Sequence, residues 1–138
     1  MRLKLWSTLM LAAISPVFAQ WNPNPAVNSP VATGITDDLQ AITGPSGRTY
    51  VAMFQPTSSG YSPRLQILND LGSPRLGPNG MQFNTTTSMG TSTVTWDMRL
   101  DANEHVYLGF TGTGNTDAVV HRLDSMGNHV WNTAGVAL

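Results

Sequence analysis

The sequence contains no cysteine, and this absence limits both its chemistry and its means of stabilisation. Disulfides, thiolate metal sites and cysteine nucleophiles are excluded. Many small extracellular domains depend on disulfides, so we expect this chain to be stabilised by packing, by a partner or by a longer chain than this one. Charge is also scarce, since charged residues make up 11% of the chain and the formal net charge is −1. A nucleic-acid binder usually needs a basic patch, so we expect no nucleic-acid partner.

Long helix-forming segments and heptad repeats are missing too, which argues against a helical bundle or a coiled coil. No apolar run is long enough to span a bilayer, so we predict no membrane span. Ser, Thr, Asn, Gly and Pro instead make up 43% of the residues, while hydrophobic residues make up 41%. This balance favours one small domain of short strands joined by many turns.

The first nineteen residues have the pattern of a secretory signal peptide. Arg2 and Lys4 form a basic start, an apolar run follows from Leu5 to Ile14, and the small residue Ala19 precedes the expected cleavage site. The apolar run is about half of the roughly 20 residues that a transmembrane helix needs. We therefore predict that residues 1–19 are removed and that the mature protein is secreted or lies at the cell surface.

Two parts of the chain resemble each other at a spacing of about 55 residues, which indicates an internal repeat. The offset is 56 in the first half of the unit and 55 in the second half, and we place the slip in the intervening loop. A match at twice this spacing indicates that residues 20–35 form the end of a preceding unit. The matching positions are Phe54 with Phe110, Leu68 with Leu123, Gly72 with Gly127, and Trp21 with Trp131.

Each unit predicts four short strands, because period-two alternation is bounded by Gly, Asn and Asp turns. The predicted strands are 36–42, 48–55, 63–69 and 73–76, then 94–100, 105–111, 117–123 and 129–132. A repeat of this length with four strands is typical of a propeller blade. We predict an all-β chain with two four-stranded antiparallel β-propeller-type blades, an incomplete propeller, with a small β-sandwich as the alternative. The predicted divisions are a signal peptide at 1–19, an N-terminal strand or linker at 20–35, a first blade at 36–83 and a second blade at 84–138.

The second unit resembles the SBBP (seven-bladed β-propeller) repeat of secreted bacterial proteins. The resemblance lies in Asn103–Thr111, Thr116–Val120 and Leu123–Trp131, which are similar to the family patterns VYL-G-T and DA-V--LD--GN--W. It covers residues 101–131 well, whereas residues 36–83 match poorly and Arg75-Leu76 stand where the family has an aromatic residue. The resemblance implies a secreted scaffold, as in cell-surface proteins of Bacteroidota, and no particular chemistry.

Acidic residues and histidines are the candidates for catalysis and metal binding. A glycosidase needs two carboxylates about 5–10 Å apart across a cleft, and a calcium loop needs regularly spaced acids with a glycine. Asp97, Asp101 and Glu104 meet neither pattern, so we interpret them as solvated acids near a turn. The three histidines lack the spacing of a zinc site. We therefore predict no catalytic residue, no metal and no cofactor. The histidines are His105, His121 and His129.

Three aromatic residues, Tyr61, Trp96 and Tyr107, are candidate ligand-binding residues, because Tyr and Trp anchor many binding surfaces. They also pack between sheets, but Tyr61 lies in a Ser/Gly/Pro loop and is expected to be exposed. We expect a non-catalytic secreted propeller module with a structural or interaction role at the cell surface, which binds an unknown protein or carbohydrate. Two blades cannot close a ring, so we expect it to be the N-terminal part of a longer protein.

Two alternatives remain open at this point. The first is a carbohydrate-binding, lectin-like propeller that closes by self-association through its open blade faces. The second is the N-terminal part of a larger secreted hydrolase.

Overall fold

The computed structural model describes residues 30–34, 36–58, 60–85, 96–111 and 118–138. Within these ranges the chain is all-β, without a helix, and forms two four-stranded antiparallel sheets that are not closed into a barrel. The first sheet contains β1 (Asp37–Thr43), β2 (Thr49–Thr57), β3 (Gly60–Leu68) and β4 (Met81–Gln82). The second sheet contains β5 (Trp96–Leu100), β6 (Val106–Thr111), β7 (Ala118–Leu123) and β8 (Val136–Ala137).

Each sheet pairs its strands in chain order. The predicted signal peptide and most of the predicted linker at 20–35, including Trp21, lie outside the described residues. No helix in the described ranges has the length and apolar character needed to cross a membrane.

Four separate connections adopt the same turn conformation, which explains why short Gly, Asn and Asp segments end the strands. The first residue of each turn donates its N–H to the carbonyl of the fifth, and the N–H of the fourth returns to the carbonyl of the first. The fourth residue has a positive φ, which favours glycine because a side chain is strained there. These fourth residues are Gly47, Gly72, Glu104 and Gly127.

The fourth strand of each sheet lies further along the chain than we predicted. Residues 73–76 and 129–132 were predicted as strands, but each contributes only one isolated bridge, Leu68 with Pro74 and Leu123 with His129. A second turn follows in each unit, and only then does the chain pair with the third strand again. The short strands β4 and β8 result from this second turn.

The pairing of the strands defines which residues of the two sheets are equivalent. Equivalent residues of β1 and β5, and of β2 and β6, differ by 57 in residue number. Equivalent residues of β3 and β7, and of β4 and β8, differ by 55. The hairpin between the second and third strands is accordingly shorter by two positions in the second sheet. The pairs that define these offsets are Thr43 with Thr49, Leu100 with Val106, Thr49 with Leu68, and Val106 with Leu123.

The predicted offset of 56 for the first half of the repeat is therefore wrong by one position. Phe110 is equivalent to Met53 and not to Phe54. The predicted offset of 55 for the second half is confirmed, as is the position of the slip between the second and third strands. Because successive side chains of a strand point to opposite faces, this error places Phe110 on the wrong face of its sheet.

The two sheets stack front to back around one apolar core. Tyr50 and Phe54 on one face of the first sheet pack with Leu108 and Phe110 of the second sheet in a single buried cluster. Phe110 is equivalent to Met53, which lies on the opposite face of the first sheet, so equivalent faces do not meet. Front-to-back stacking is the arrangement of successive repeats, each contacting its neighbour, and it favours the propeller-type prediction over the sandwich.

Phe83, just after β4, completes this core at its outer edge. Its ring is 3% exposed and meets the rings of Phe110 and His121 at centroid distances of 6.3 and 5.4 Å. At the inner edge, the carboxamide of Gln40 donates to the Trp96 carbonyl at 3.3 Å and accepts the Met98 N–H at 3.1 Å. Full burial of a large apolar side chain contributes about 1.5–3 kcal/mol, so Phe83 stabilises the packing of the sheets at one edge. The hydrogen bonds of Gln40 link the sheets at the other edge.

Candidate functional site

A buried carboxylate joins the two sheets. Glu104, in the turn before β6, is 5% exposed and reaches the equivalent turn of the first sheet. Its carboxylate accepts hydrogen bonds from the Ser46 N–H at 2.6 Å, the Ser46 hydroxyl at 2.7 Å and the Tyr50 hydroxyl at 2.8 Å. The Arg48 guanidinium lies 3.6 Å away. We call the group that receives this carboxylate, Gly44, Ser46, Arg48 and Tyr50, the socket.

Gly44 allows the close approach of Glu104. A Cβ atom at position 44 would lie 2.5 Å from Glu104 Oε1 and 2.8 Å from its Cδ, well inside contact distance. The position equivalent to Gly44 in the second sheet is Asp101, so the side chain is missing only where the neighbouring carboxylate enters. This pairing of Gly44 with Glu104 is specific to the junction between the sheets.

Electrostatic interactions keep Glu104 and Tyr50 each in a single protonation state. Burial opposes ionisation of Glu104, but hydrogen bonds from Ser46 and Tyr50 and the charge of Arg48 outweigh it and hold the pKa of the carboxyl below its usual range. Burial, together with the hydrogen bond to Glu104, raises the pKa of Tyr50 to about 12. Glu104 is therefore an anion and Tyr50 is neutral near pH 7. A general acid or base needs a pKa near the working pH, so this arrangement suits a structural link better than proton transfer.

The prediction that Glu104 is a solvated turn acid is therefore wrong. The sequence carried one signal that we did not use, because Glu104 occupies the turn position where the other three turns have glycine. Its φ is +59°, and a left-handed conformation costs a non-glycine residue roughly 1–2 kcal/mol. Such strain is retained where the side chain makes compensating contacts, as it does here with the socket.

A second polar cluster lies on the opposite, outer side of the second sheet. Asp101 accepts the backbone N–H of His105 at 2.9 Å, approaches His105 Nδ1 at 3.0 Å, and accepts the Tyr107 hydroxyl at 3.3 Å. Arg122 lies 3.6 Å from the same carboxylate and 3.2 Å from His105 Nδ1. The hydrogen bond from the His105 backbone, with others from Asn103 and the imidazole, holds the pKa of Asp101 below its usual value.

Tyr107 and Trp131 form an aromatic corner beside this cluster. Their ring centroids are 6.0 Å apart at an interplanar angle of 75°. The guanidinium of Arg122 lies 5.4 Å above the Tyr107 ring, in cation–π geometry. Trp131 is exposed, while Tyr107 and Arg122 are half-buried. An apolar corner flanked by a cation and a carboxylate can contact both the apolar and the hydroxyl groups of a ligand. We call Asp101, His105, Tyr107, Arg122 and Trp131 the outer cluster.

The structure does not bring the three predicted ligand-binding residues together. Tyr61 and Trp96 both pack edge-on against Phe54, at centroid distances of 6.4 and 4.8 Å. Tyr61 lies within β3 and is half-buried, so the expectation that it is an exposed loop residue is wrong. Trp96 lies on the inner face of the second sheet, whereas Tyr107 lies on the outer face. Only Tyr107 belongs to the outer cluster, and the site residues predicted from the sequence do not include its neighbour Trp131.

His121 is buried in the core between the sheets. Its ring stacks on Phe110 at 5.7 Å, meets His129 edge-on at 5.8 Å, and neither ring nitrogen has a hydrogen-bond partner within the described part of the chain. Burial, with a smaller contribution from His129, lowers the pKa of His121 to about 4, so the ring is neutral near pH 7. Within that same part of the chain, no group of three or more potential metal ligands is found.

Comparison with known proteins identifies no relative of this chain. No protein family, curated protein or solved structure matches the chain.

Proposed function

We propose that the chain is a non-catalytic, exported β-propeller repeat module with a structural or interaction role at or outside the cell surface. The observation that carries this proposal is the open outer face of the second sheet, with Tyr107 and Trp131. Its counterpart on the first sheet is buried against a neighbouring sheet. A repeat unit whose equivalent face is buried elsewhere in the same chain presents a surface suited to binding.

The carboxylates also fit this proposal. Glu104 is ionised and committed to the socket, and Asp101 is hydrogen-bonded within its own turn. Both groups have pKa values below the usual range, whereas a catalytic acid needs a raised pKa. These two acids therefore serve to order the turns.

Export is tested by expressing the complete sequence in a bacterial host and measuring the intact mass of the product outside the cytoplasm. We expect the product to begin at Gln20. An Ala19→Arg variant is the control and should remain uncleaved, because cleavage requires a small residue before the cut. A chain that keeps Met1 and stays in the cytoplasm would contradict the proposed export.

Carbohydrate binding is a second candidate function, favoured by the aromatic corner of Tyr107 and Trp131 with Arg122 beside it. Calorimetric titration with a panel of neutral and acidic oligosaccharides tests it. Binding heat that disappears in Trp131→Ala and persists in Trp96→Phe would support a sugar site in the outer cluster. Titrations without heat for the whole panel, or equal loss in both variants, would count against it.

A further inference from the structure

The outer face of the second sheet repeats the positions of the socket with a different set of charges. Each residue that receives the Glu104 carboxylate in the first sheet has an equivalent 57 positions later. The tyrosine is kept, whereas the glycine is replaced by an aspartate and the arginine by a histidine. The equivalents of Gly44, Ser46, Arg48 and Tyr50 are Asp101, Asn103, His105 and Tyr107.

In this second set, Asp101 takes the place of the incoming carboxylate. Its carboxylate accepts the Tyr107 hydroxyl at 3.3 Å and lies 3.0 Å from Nδ1 of His105. In the first sheet the carboxylate of Glu104 makes the corresponding contacts with a tyrosine and an arginine. Both sites therefore recognise a carboxylate, but only the second pairs it with a side chain that gains and loses its charge near neutral pH.

One nitrogen atom of His105 faces both a hydrogen-bond acceptor and a donor. Nδ1 lies 3.0 Å from the ionised Asp101 carboxylate, which only accepts, and 3.2 Å from the Arg122 guanidinium, which only donates. A ring nitrogen carries either a proton or a lone pair, so it can satisfy only one of these partners at a time. With a lone pair on Nδ1 the neutral ring accepts from Arg122. The protonated ring carries hydrogen on Nδ1 and bonds only to Asp101.

The other charged groups around His105 determine what its proton changes. Burial opposes ionisation of Asp124, but hydrogen bonds within its turn, with a smaller contribution from the charge of His105, hold its pKa below the usual range. Arg99, on the outer face of β5, is paired with a carboxylate of its own strand at 2.8 Å and adds no net charge. Among the described residues around the ring, Asp101, Asp124 and Arg122 thus leave one negative charge in excess. A proton on His105 cancels it.

Arg122 is the group that this exchange releases. It reaches the Asp101 carboxylate at only 3.6 Å, and its remaining contact is the Tyr107 ring at 5.4 Å. When His105 is protonated, the guanidinium faces a second cation at 3.2 Å and shares its carboxylate with that cation, so the two repel each other. The equivalent residue of the first sheet is Ile67, which is 1% exposed in the core, so this cation is particular to the outer face.

We propose that the outer cluster is a carboxylate-binding site for an acidic sugar, and that a proton on His105 opens it by freeing Arg122 for the ligand. The sugar ring would stack on the exposed Trp131, and its carboxylate would pair with the freed guanidinium. This inference rests on the carbohydrate-binding function proposed above and adds the ligand class and its control by pH. The His105 side chain is 23% exposed and so exchanges protons with solvent.

Nuclear magnetic resonance of the chain with isotope-labelled histidine tests the exchange without a ligand. We expect Nδ1 of His105 to carry a lone pair at about pH 8 and a proton at about pH 5. Arg122→Leu removes the donor and keeps Asp101, so Nδ1 should then be protonated at both pH values. A wild-type ring with hydrogen on Nδ1 at the higher pH would overturn the proposal, because Arg122 could not then bond to it.

Calorimetric titration with a trimer of galacturonic acid tests the ligand class, with the neutral galactose trimer as its counterpart. We expect the acidic trimer to bind at least roughly tenfold more tightly at about pH 5.5 than at about pH 7.5, since a hydrogen bond to a charged group is gained. His105→Gln, which cannot be charged, should abolish this difference. His129→Gln is the matched control and should keep it, because His129 lies outside the outer cluster.

The outcomes separate this inference from the function on which it rests. Equal binding of both trimers at both pH values would support carbohydrate binding and overturn the site for an acidic sugar. Acidic-trimer binding that persists unchanged in Arg122→Leu would also overturn it, because another group would hold the carboxylate. No binding of either trimer would count against both, and the export assay would still decide the role outside the cell.

Discussion

Removal of the Glu104 carboxylate is the sharpest test of how the sheets are joined. In Glu104→Ala the Tyr50 hydroxyl, which is fully buried, loses its acceptor, and the Ser46 donors turn to water. A hydrogen bond to a charged group contributes about 1.5–3 kcal/mol, and a buried donor left without a partner costs about 1–3 kcal/mol. These contributions overlap, so we expect a loss of about 3 kcal/mol in the free energy of unfolding. This is a large part of the stability of a small domain.

A Glu104→Gly variant separates the hydrogen bonds from the backbone strain. Glycine also removes the carboxylate, but it adopts the φ of +59° without the cost that alanine keeps. The glycine variant should therefore be more stable than the alanine variant by about 1 kcal/mol. Urea unfolding followed by tryptophan fluorescence measures both values. An alanine variant within about 1 kcal/mol of wild type, or a glycine variant less stable than alanine, would refute this reasoning.

The pH dependence of the free energy of unfolding tests whether the ionised form of Glu104 is the one that stabilises the fold. The folded-state pKa of Glu104 is lowered, so its contribution is complete above the unfolded value of 4.5 and is lost as the pH falls through the folded pKa. The difference between wild type and Glu104→Ala should therefore be largest near neutrality and shrink in acid. A difference that is constant across this range would mean that the ionised carboxylate is not the stabilising group.

Three further changes should have distinct effects on stability. The pKa of His121 falls from 6.5 to about 4 on folding, so the free energy of unfolding of wild type should fall by about 3 kcal/mol between pH 6.5 and pH 4. His121→Leu should lose less over that window. An equal loss in both proteins would count against a buried neutral ring. Gly80→Ala should cost more than Gly77→Ala in urea unfolding, since both have positive φ but only at Gly80 would the new Cβ meet a backbone oxygen, that of Leu65 at 2.6 Å. Equal costs would contradict this. Phe83→Ala should cost about 3–5 kcal/mol and weaken the near-UV circular dichroism of the core, while a change under about 1 kcal/mol would argue against its role between the sheets.

Local patterns in the sequence were sufficient to predict most strands. In the second sheet, β6 and β7 lie within the predicted strands 105–111 and 117–123, and their positions alternate between buried and half-exposed because one face of each strand lies in the core. The turn signals also succeeded, since a positive φ at the fourth turn position is a local requirement that glycine meets. The offset in the second half of the repeat was readable for the same reason, as Gly72 and Gly127 mark equivalent turns.

The fourth strands could not be predicted in the same way. Met81 and Val136 begin strands that are too short for any periodicity to be seen. Their existence depends on a partner strand earlier in the chain, paired through Leu65 in the first sheet and Val120 in the second. Tertiary contact decides such short pairings because their own residues have little preference for them.

The sequence by itself determined the all-β class, the repeat and the turns, because these follow from the conformational preferences of neighbouring residues. Only the tertiary structure decided which face of each strand is buried. That choice depends on the register of strand pairing, and a shift of a single position reverses it. The tertiary structure also turned Glu104 from an apparent surface acid into the link between the sheets, because its partners Ser46 and Tyr50 belong to the other sheet and lie far away along the chain.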